Sequence, residues 1–118
     1  MDMIDKNKTI LKPWGKEIIL EKKKNYCVKK LWVRQGEKLS LQSHKNRFEV
    51  WTVLTGKIEA QKGSSKILLE PGDFTKINKN EKHRITGLKE SWVLEVAFGQ
   101  VRQNDIIRFE DNYGRGKK

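Results

Sequence analysis

The feature that most constrains this chain is a succession of short segments in which apolar and polar residues alternate, with turn residues between them. Alternation with a period of two is typical of strands that bury one face, and helical periodicity is almost absent. The pattern predicts nine strands: Lys16–Leu20, Tyr26–Val33, Leu39–His44, Glu49–Thr55, Lys57–Gln61, Lys66–Leu69, Phe74–Ile77, His83–Thr86 and Trp92–Phe98. Nine short strands at this spacing indicate an all-β fold, either a sandwich of two packed antiparallel sheets or a small barrel.

Length and apolar content set the size of the fold. A chain of 118 residues has room for one hydrophobic core, so we expect a single domain over residues 1–118 with mobile ends at 1–9 and 114–118. The longest apolar runs have three residues, against the roughly 20 that a membrane span needs. One helical turn is expected, at Gln103–Arg108. Cys27 is the sole cysteine, which excludes an internal disulfide, agrees with a reducing compartment and predicts a cytoplasmic protein.

The net charge of the chain limits which classes of partner it is expected to bind. The chain carries 26 Lys and Arg residues against 15 Asp and Glu, a formal net charge of +11. A surface with this charge can bind nucleic acid or attract a phosphorylated small molecule. The cations are scattered, and no zinc finger, aromatic RNA-binding strand or glycine-rich phosphate loop accompanies them. The composition therefore fits an anionic small-molecule substrate better than nucleic acid.

Four side chains with metal-binding chemistry lie in two segments. Gln42 and His44 are two residues apart on a predicted strand and so face the same way, and a four-residue turn at Lys45–Phe48 then brings back Glu49. A separate hairpin supplies His83, so both histidines of the chain belong to these segments. One amide oxygen, two imidazoles and one carboxylate form a mixed nitrogen and oxygen donor set suited to a divalent metal ion.

The spacing of these residues resembles the two motifs of the cupin superfamily. The first motif is matched by Gly36, Gln42, His44, Glu49 and Gly56, with Gln42 in place of its first histidine. The second is matched by Gly72 and His83, with Asn78, Asn80 and Gly87 at weaker positions. The resemblance implies a small single-domain cupin-type β-barrel, a jelly roll of two packed antiparallel sheets.

A narrower resemblance covers nearly the whole chain. It is carried by Lys12–Gly15, Tyr26–Val33, Leu39–His44, Arg47–Trp51, Leu94–Val96, Asp105–Arg108 and Tyr113–Arg115. These segments resemble the type II phosphomannose isomerase domain, which is usually the C-terminal part of a mannose-1-phosphate guanylyltransferase. The resemblance implies a metal-dependent isomerase that converts mannose 6-phosphate to fructose 6-phosphate. The Gln-x-His pair is also similar to that of type I phosphomannose isomerases, whose zinc is held by Gln, His, Glu and His.

The likeness therefore implies Gln42, His44, Glu49 and His83 as metal ligands, with zinc favoured and manganese, cobalt, nickel or iron as alternatives. The sequence departs from the family at Lys45, Asn46, Val50 and Asn78. These changes spare the four presumed ligands, and the resemblance implies that they alter substrate contacts and catalysis.

Aldose–ketose isomerisation moves a proton between adjacent carbons, so it needs a general base near the metal. Glu95 is the candidate base, because it shares a strand face with Val93 and Ala97, whose small side chains can line a cavity. Lys29 is the candidate partner of a phosphate or an oxyanion, and Arg47 is a candidate phosphate ligand. The competing interpretation makes each an ordinary exposed side chain on a sheet face or in a turn.

Two other functions stay open at this point. A cupin with altered contacts at Asn46 and Val50 could bind a sugar phosphate or sugar nucleotide without chemistry. A different metallo-cupin enzyme, such as an epimerase or a dioxygenase, is the second alternative, although Gln42 is atypical of dioxygenase sites. Exposed strand edges in a small barrel favour a homodimer, and the four tryptophans, Trp14, Trp32, Trp51 and Trp92, are expected in the core or at a dimer interface.

Overall fold

The computed structural model describes residues 8–100 and 105–110. It contains eleven strands: β1 Lys8–Lys12, β2 Gly15–Lys22, β3 Tyr26–Val33, β4 Leu41–Ser43, β5 Arg47–Thr55, β6 Ile58–Lys62, β7 Ser65–Leu69, β8 Phe74–Ile77, β9 His83–Gly87, β10 Ser91–Gly99 and β11 Ile107–Glu110. None of the described residues lies in a helix long and apolar enough to cross a membrane.

The strands form two antiparallel sheets packed face to face. The six-stranded sheet has the order β1-β2-β3-β10-β5-β8, and the five-stranded sheet has the order β11-β4-β9-β6-β7. Along β5 and β10 every second residue is buried, as expected where alternate side chains enter the space between two sheets. The prediction of an all-β fold with two packed antiparallel sheets is confirmed.

The apolar core fills one end of the space between the sheets. It comprises Trp14, Leu31, Val33, Trp51, Val53, Ile58, Ala60, Leu69, Ile77, Ile85 and Val93. Trp14 and Trp51 are core residues as predicted, whereas Trp32 and Trp92 lie half-buried on the outside of the six-stranded sheet. The other end of the same space is lined by charged and polar side chains, and this end holds the candidate site.

Two strands, β1 and β11, were not predicted from the sequence. β1 begins at residue 8, inside the segment 1–9 expected to be mobile, while residues 1–7 and 114–118 lie outside the described part. The predicted helical turn at Gln103–Arg108 is confirmed only at Asp105, which lies in a 3-10 turn, and is wrong at Ile107 and Arg108, which belong to β11 and pair with β4. Residues 103 and 104 of that turn are outside the described residues. Both segments become strands because they pair with another strand, and the local sequence pattern does not reveal that pairing.

The loop between β4 and β5 is shorter than predicted. β4 ends at Ser43 and β5 begins at Arg47, which leaves His44, Lys45 and Asn46 to make the connection. Gly99, at the end of β10, has φ 114°, and a Cβ there would collide with the carbonyl oxygen of Asn46. Glycine at this position therefore lets β10 pass directly against the loop that presents His44.

Candidate metal centre and cavity

Three buried side chains from three strands or strand ends converge on one point. His44 follows β4, Glu49 lies on β5 and His83 begins β9. One ligand atom from each residue lies within 4.8 Å of the others. Each residue is at most 3% exposed, so the group is shielded from water. The structure thus brings together three of the four side chains that the sequence proposed as ligands.

Hydrogen bonds orient both imidazoles toward the carboxylate. His44 Nδ1 lies 3.0 Å from the carbonyl oxygen of Asp105, and His83 Nδ1 lies 2.8 Å from that of Glu81. A carbonyl oxygen can only accept, so we assign the ring hydrogen to Nδ1 in both histidines. Each Nε2 then presents a lone pair to the interior, which is how histidine ligates a metal while its other nitrogen is held in place.

The spacing of the acceptor atoms fits a bound cation. His44 Nε2 lies 3.4 Å from Glu49 Oε2, and His83 Nε2 lies 3.8 Å from Glu49 Oε1. Ligand atoms about 2.0–2.2 Å from a tetrahedral zinc ion are roughly 3.4 Å apart. Two imidazole lone pairs facing a carboxylate across these distances repel each other unless a positive charge lies among them. The donor set therefore fits a divalent metal.

The pKa shifts of His44 and Glu49 are those expected of metal ligands. Burial lowers the pKa of His44 to about 4, against the attraction of Glu49, so the ring is neutral at pH 7. Burial alone raises the pKa of Glu49, but the electrostatic attraction of the neighbouring imidazole and of the Arg47 guanidinium outweighs it, so the pKa of this carboxyl lies below its usual value. Trp51 Nε1 also donates a hydrogen bond of 3.1 Å to Glu49 Oε1.

Arg47 supplies positive charge at this point. Its Nη2 lies 2.9 Å from His44 Nε2, and its Nε lies 3.0 Å from Glu49 Oε2. The side chain is buried on the inner face of β5, rather than projecting from a turn as the sequence analysis expected. A single lone pair on His44 cannot serve both the guanidinium and a metal ion, so the guanidinium must move away from Nε2 when a metal binds.

Gln42 lies beside these residues on the cavity wall. It is the cross-strand partner of His83 in the pairing of β4 with β9. Its Nε2 donates a hydrogen bond of 2.9 Å to Ser40 Oγ. The amide is thus held in place by its nitrogen. Gln42 therefore shares the cavity wall with Glu49 and His83.

A cavity of about 220 Å³ is lined by Glu49 and His83, two of the three residues of the centre, and by Arg47 beside them. Its charged wall consists of seven cationic side chains, Lys8, Lys12, Lys22, Lys29, Arg47, Arg84 and Arg108, and three carboxylates, Glu17, Glu49 and Glu95. Seven cations minus three carboxylates leave an excess of four positive charges. Such a cavity favours an anionic ligand.

Glu95 and Lys29 face this cavity from adjacent strands, where they are direct cross-strand partners. Burial raises the pKa of Glu95 to about 8, with the nearby Glu49 carboxylate adding to the effect. Lys29 Nζ forms an ion pair of 3.2 Å with Glu17. Burial alone lowers the pKa of Lys29, but Glu95 and Glu17 outweigh it, so this amine stays charged. Neither residue is the exposed sheet-face side chain of the competing interpretation.

Asp105 is a residue of the site that the sequence analysis missed. Its two carboxylate oxygens accept hydrogen bonds from the backbone N–H groups of Lys45 and Asn46, at 3.0 and 2.9 Å. Its carbonyl oxygen accepts the hydrogen bond from His44. One residue thus holds both the loop and the ring of a candidate ligand. No local signal reveals this, because the contact spans about 60 residues.

The sequence of the chain matches a known protein family. A family model described as "Mannose-6-phosphate isomerase C-terminal" matches residues 1–111. Xanthan biosynthesis protein XanB of Xanthomonas campestris pv. campestris is 34% identical over 92% of this chain and 24% of its own length. Mannose-1-phosphate guanylyltransferase RfbM of Salmonella typhimurium is 32% identical over 92% of this chain and 23% of its own length. The chain therefore spans about a quarter of these curated relatives.

Solved structures share the fold. An RmlC-like cupin from Shewanella frigidimarina aligns with a TM-score of 0.73 at 17% identity, covering 84% of this chain and 88% of that one. The nucleoside dehydratase Pac13 aligns with a TM-score of 0.79 at 10% identity, covering 89% and 86%. At these identities the likeness concerns architecture alone, and it confirms the predicted cupin-type jelly roll.

Proposed function

The chain belongs to the family of mannose-6-phosphate isomerase C-terminal domains, and on that premise we propose that it is a metal-dependent isomerase of a phosphosugar. The substrate pair is mannose 6-phosphate and fructose 6-phosphate, or a closely related aldose and ketose phosphate. The observation that carries the proposal is the juxtaposition of a two-histidine, one-carboxylate centre with a buried Glu95 in one cationic cavity.

The metal would be held by His44, Glu49 and His83, with Gln42 as the fourth ligand. Zinc is the favoured ion, and manganese, cobalt, nickel and iron suit the same nitrogen and oxygen donors. When bound, a divalent ion supplies Lewis-acid polarisation of a sugar carbonyl or hydroxyl. Glu49 is the one anionic ligand of the four, so the centre keeps a net positive charge.

Glu95 is proposed as the group that moves the proton. Isomerisation takes a proton from the carbon beside the carbonyl and returns it to the neighbouring carbon, so one carboxylate can act first as base and then as acid. A pKa of about 8 makes the carboxylate a stronger base than an exposed glutamate, while a fraction stays ionised at neutral pH. Lys29, its cross-strand partner, is placed to stabilise negative charge that develops on a substrate oxygen.

The cationic wall is proposed to bind the phosphate. Arg47 serves this role once the guanidinium has left His44, because its stem already lies on the cavity wall. Arg108, which pairs with Gln42 across β11 and β4, faces the same space, and Lys29 adds a third cation. Arginine forms paired hydrogen bonds with phosphate oxygens, so binding is expected to fall steeply when the phosphate is removed from the sugar.

The proposal is tested by incubating the metal-loaded protein with mannose 6-phosphate and measuring fructose 6-phosphate. We expect turnover that disappears after chelation and returns when zinc, manganese or cobalt is added. Full turnover in a metal-free preparation would contradict the proposal. Tight binding of a sugar phosphate or sugar nucleotide without any turnover would favour the non-catalytic alternative.

Asp105→Ala is expected to weaken metal binding about 10- to 100-fold, the usual cost of losing a group that orients a ligand. The loop N–H groups lose both carboxylate acceptors, so the backbone carbonyl that accepts from His44 Nδ1 is no longer tied to the loop. Isothermal titration with zinc measures the effect. Asp73→Ala is the matched control, because Asp73 also caps a turn by accepting from the backbone N–H of Glu70 but lies away from the centre. Equal zinc affinities in the two variants would contradict the role given to Asp105.

A cytoplasmic location and a homodimer remain predictions. The first rests on the single cysteine, and the second rests on the exposed strand edges of a small barrel.

A further inference from the structure

The Arg47 guanidinium contacts two atoms of the candidate metal centre. Its Nη2 lies 2.9 Å from His44 Nε2, and its Nε lies 3.0 Å from Glu49 Oε2. These two ligand atoms are themselves 3.4 Å apart. The same arginine side chain lines the cavity that carries the excess of positive charge. Arg47 therefore lies between two possible sets of partners, the metal ligands on one side and an anion in the cavity on the other.

Two arginine donors on the cavity wall are buried without a hydrogen-bond partner. Among the residues that the structure describes, the only buried side-chain nitrogen or oxygen atoms in this condition are Nε of Arg47 and Nε of Arg108. Arg47 is 9% exposed, and its Nε forms an ion pair with Glu49 but no hydrogen bond. A buried donor without an acceptor costs free energy. Both arginines therefore favour a ligand rich in acceptor oxygens, and a phosphate group is such a ligand.

The guanidinium and a metal ion compete for the same ligand atoms. The carbonyl oxygen of Asp105 accepts from His44 Nδ1, so Nε2 has one lone pair, which can face the guanidinium or a metal ion but not both. Glu49 is 2% exposed, and a carboxylate buried this deeply needs positive charge beside it. Arg47 supplies that charge in the metal-free protein. A divalent ion held by His44 and Glu49 supplies it instead and releases the guanidinium.

Other cations of the cavity wall have partners that a metal ion does not displace. Lys29 Nζ forms an ion pair of 3.2 Å with Glu17. Arg84 Nε donates a hydrogen bond of 2.7 Å to the carbonyl oxygen of Leu39. Arg47 differs from these two cations because its partners are the proposed metal ligands themselves. Its freedom to bind an anion therefore depends on whether a metal ion is present.

We infer that Arg47 is a specificity-determining residue that makes recognition of the phosphate group depend on the metal ion. In the metal-free protein its guanidinium is held by His44 and Glu49, and in the metal-loaded protein it binds phosphate together with Arg108. Because coupling between two binding sites is reciprocal, the sugar phosphate strengthens metal binding by the same factor as the metal strengthens sugar phosphate binding. The inference rests on the metal and phosphate sites of the proposed function and adds a coupling between them.

Cobalt titrations with and without saturating mannitol 6-phosphate measure this coupling. Mannitol 6-phosphate has no carbonyl group, so it cannot be isomerised, and mannitol is the control without a phosphate. In the wild type the sugar phosphate should lower the Kd for cobalt about 10-fold, and mannitol should lower it less than about threefold. Without sugar phosphate, Arg47→Met should bind cobalt about 10-fold more tightly than the wild type, because the competing cation is gone, and added mannitol 6-phosphate should then change its affinity less than about threefold.

Arg108→Met is the matched control for Arg47→Met. Both arginines line the cavity, but of the two only Arg47 contacts His44 and Glu49. Arg108→Met should weaken the binding of mannitol 6-phosphate while keeping the cobalt affinity and the coupling of the wild type. An Arg108→Met variant that raises cobalt affinity as much as Arg47→Met would contradict the inference, because the effect would then be one of general positive charge.

The wild-type titration keeps the test decisive if Arg47→Met fails to fold. A wild type that binds cobalt with the same affinity in mannitol and in mannitol 6-phosphate would overturn the inference. If that protein still isomerises mannose 6-phosphate, the proposed function stands and the coupling alone is refuted. A wild type that binds no cobalt at all would overturn both. A folded Arg47→Met variant that binds cobalt more weakly than the wild type would show that the guanidinium assists the metal and does not compete with it.

Discussion

His83→Ala is expected to abolish metal binding and, with it, the isomerisation of mannose 6-phosphate. The ring supplies one of two neutral nitrogen donors, and its Nδ1 is already held by the carbonyl oxygen of Glu81. Changes to groups that merely orient a ligand cost about 10- to 100-fold in affinity, so loss of the ligand itself is expected to cost more than 100-fold. Elemental analysis after dialysis should fall from one metal ion per chain to less than about 0.1 at that cost.

Thr86→Ala, on the same strand β9 but outside the cavity, is the control for this variant and is expected to keep both metal and activity. Circular dichroism of His83→Ala distinguishes loss of the site from loss of the fold. A folded His83→Ala protein that keeps one metal ion per chain would remove this residue from the centre. A folded variant that loses metal but keeps full turnover would refute metal dependence.

Glu95→Gln is expected to reduce kcat by about 100- to 10,000-fold, the usual contribution of a general base. Glutamine is close in shape and can keep a hydrogen bond in the cavity, but it cannot take a proton from carbon. Metal content and the affinity for mannose 6-phosphate should change little, because Glu95 is not among the proposed ligands. Glu59→Gln, on the outer face of β6, is the control and should retain wild-type kcat.

The pH dependence supplies a second readout for Glu95. Burial raises its pKa to about 8, and the base form is the one present above the pKa. Wild-type kcat/KM should therefore fall tenfold per pH unit as the pH drops below about 8 and level off above it. The residual kcat/KM of Glu95→Gln should not fall in this way below pH 8. A wild-type profile that is flat between pH 6 and 9, or a Glu95→Gln variant within threefold of wild type, would contradict the assignment.

Much of the fold is encoded in local patterning. β3, β8 and β10 are rich in apolar and β-branched residues and are bounded by turn residues, so these strands can be located from the sequence. β1 and β11 have four or five residues with little local signal, and their place in the sheets depends on pairing with β2 and β4. The apolar outward residues of β5 and β10 are visible in the sequence, but their position on one continuous face requires the strand order.

Some features of the candidate site can be predicted from the sequence and others cannot. The spacing of Gln42, His44 and Glu49 predicts their common location, since strand geometry fixes which side chains share a face. The inward direction of Arg47 follows from the start of β5, which lies two residues earlier than predicted. The role of Asp105 arises from contacts with residues about 60 positions away, and no spacing rule predicts them.

The central claim is that His44, Glu49 and His83 hold a divalent metal in this cavity. It is tested most directly by anomalous diffraction at the zinc absorption edge from crystals of the zinc-loaded protein. The account predicts one strong anomalous peak per chain, about 2.0–2.2 Å from Nε2 of both histidines and from a Glu49 oxygen, with the Arg47 guanidinium withdrawn from His44. No peak at this position, with Arg47 still in contact with His44 and Glu49, would contradict it.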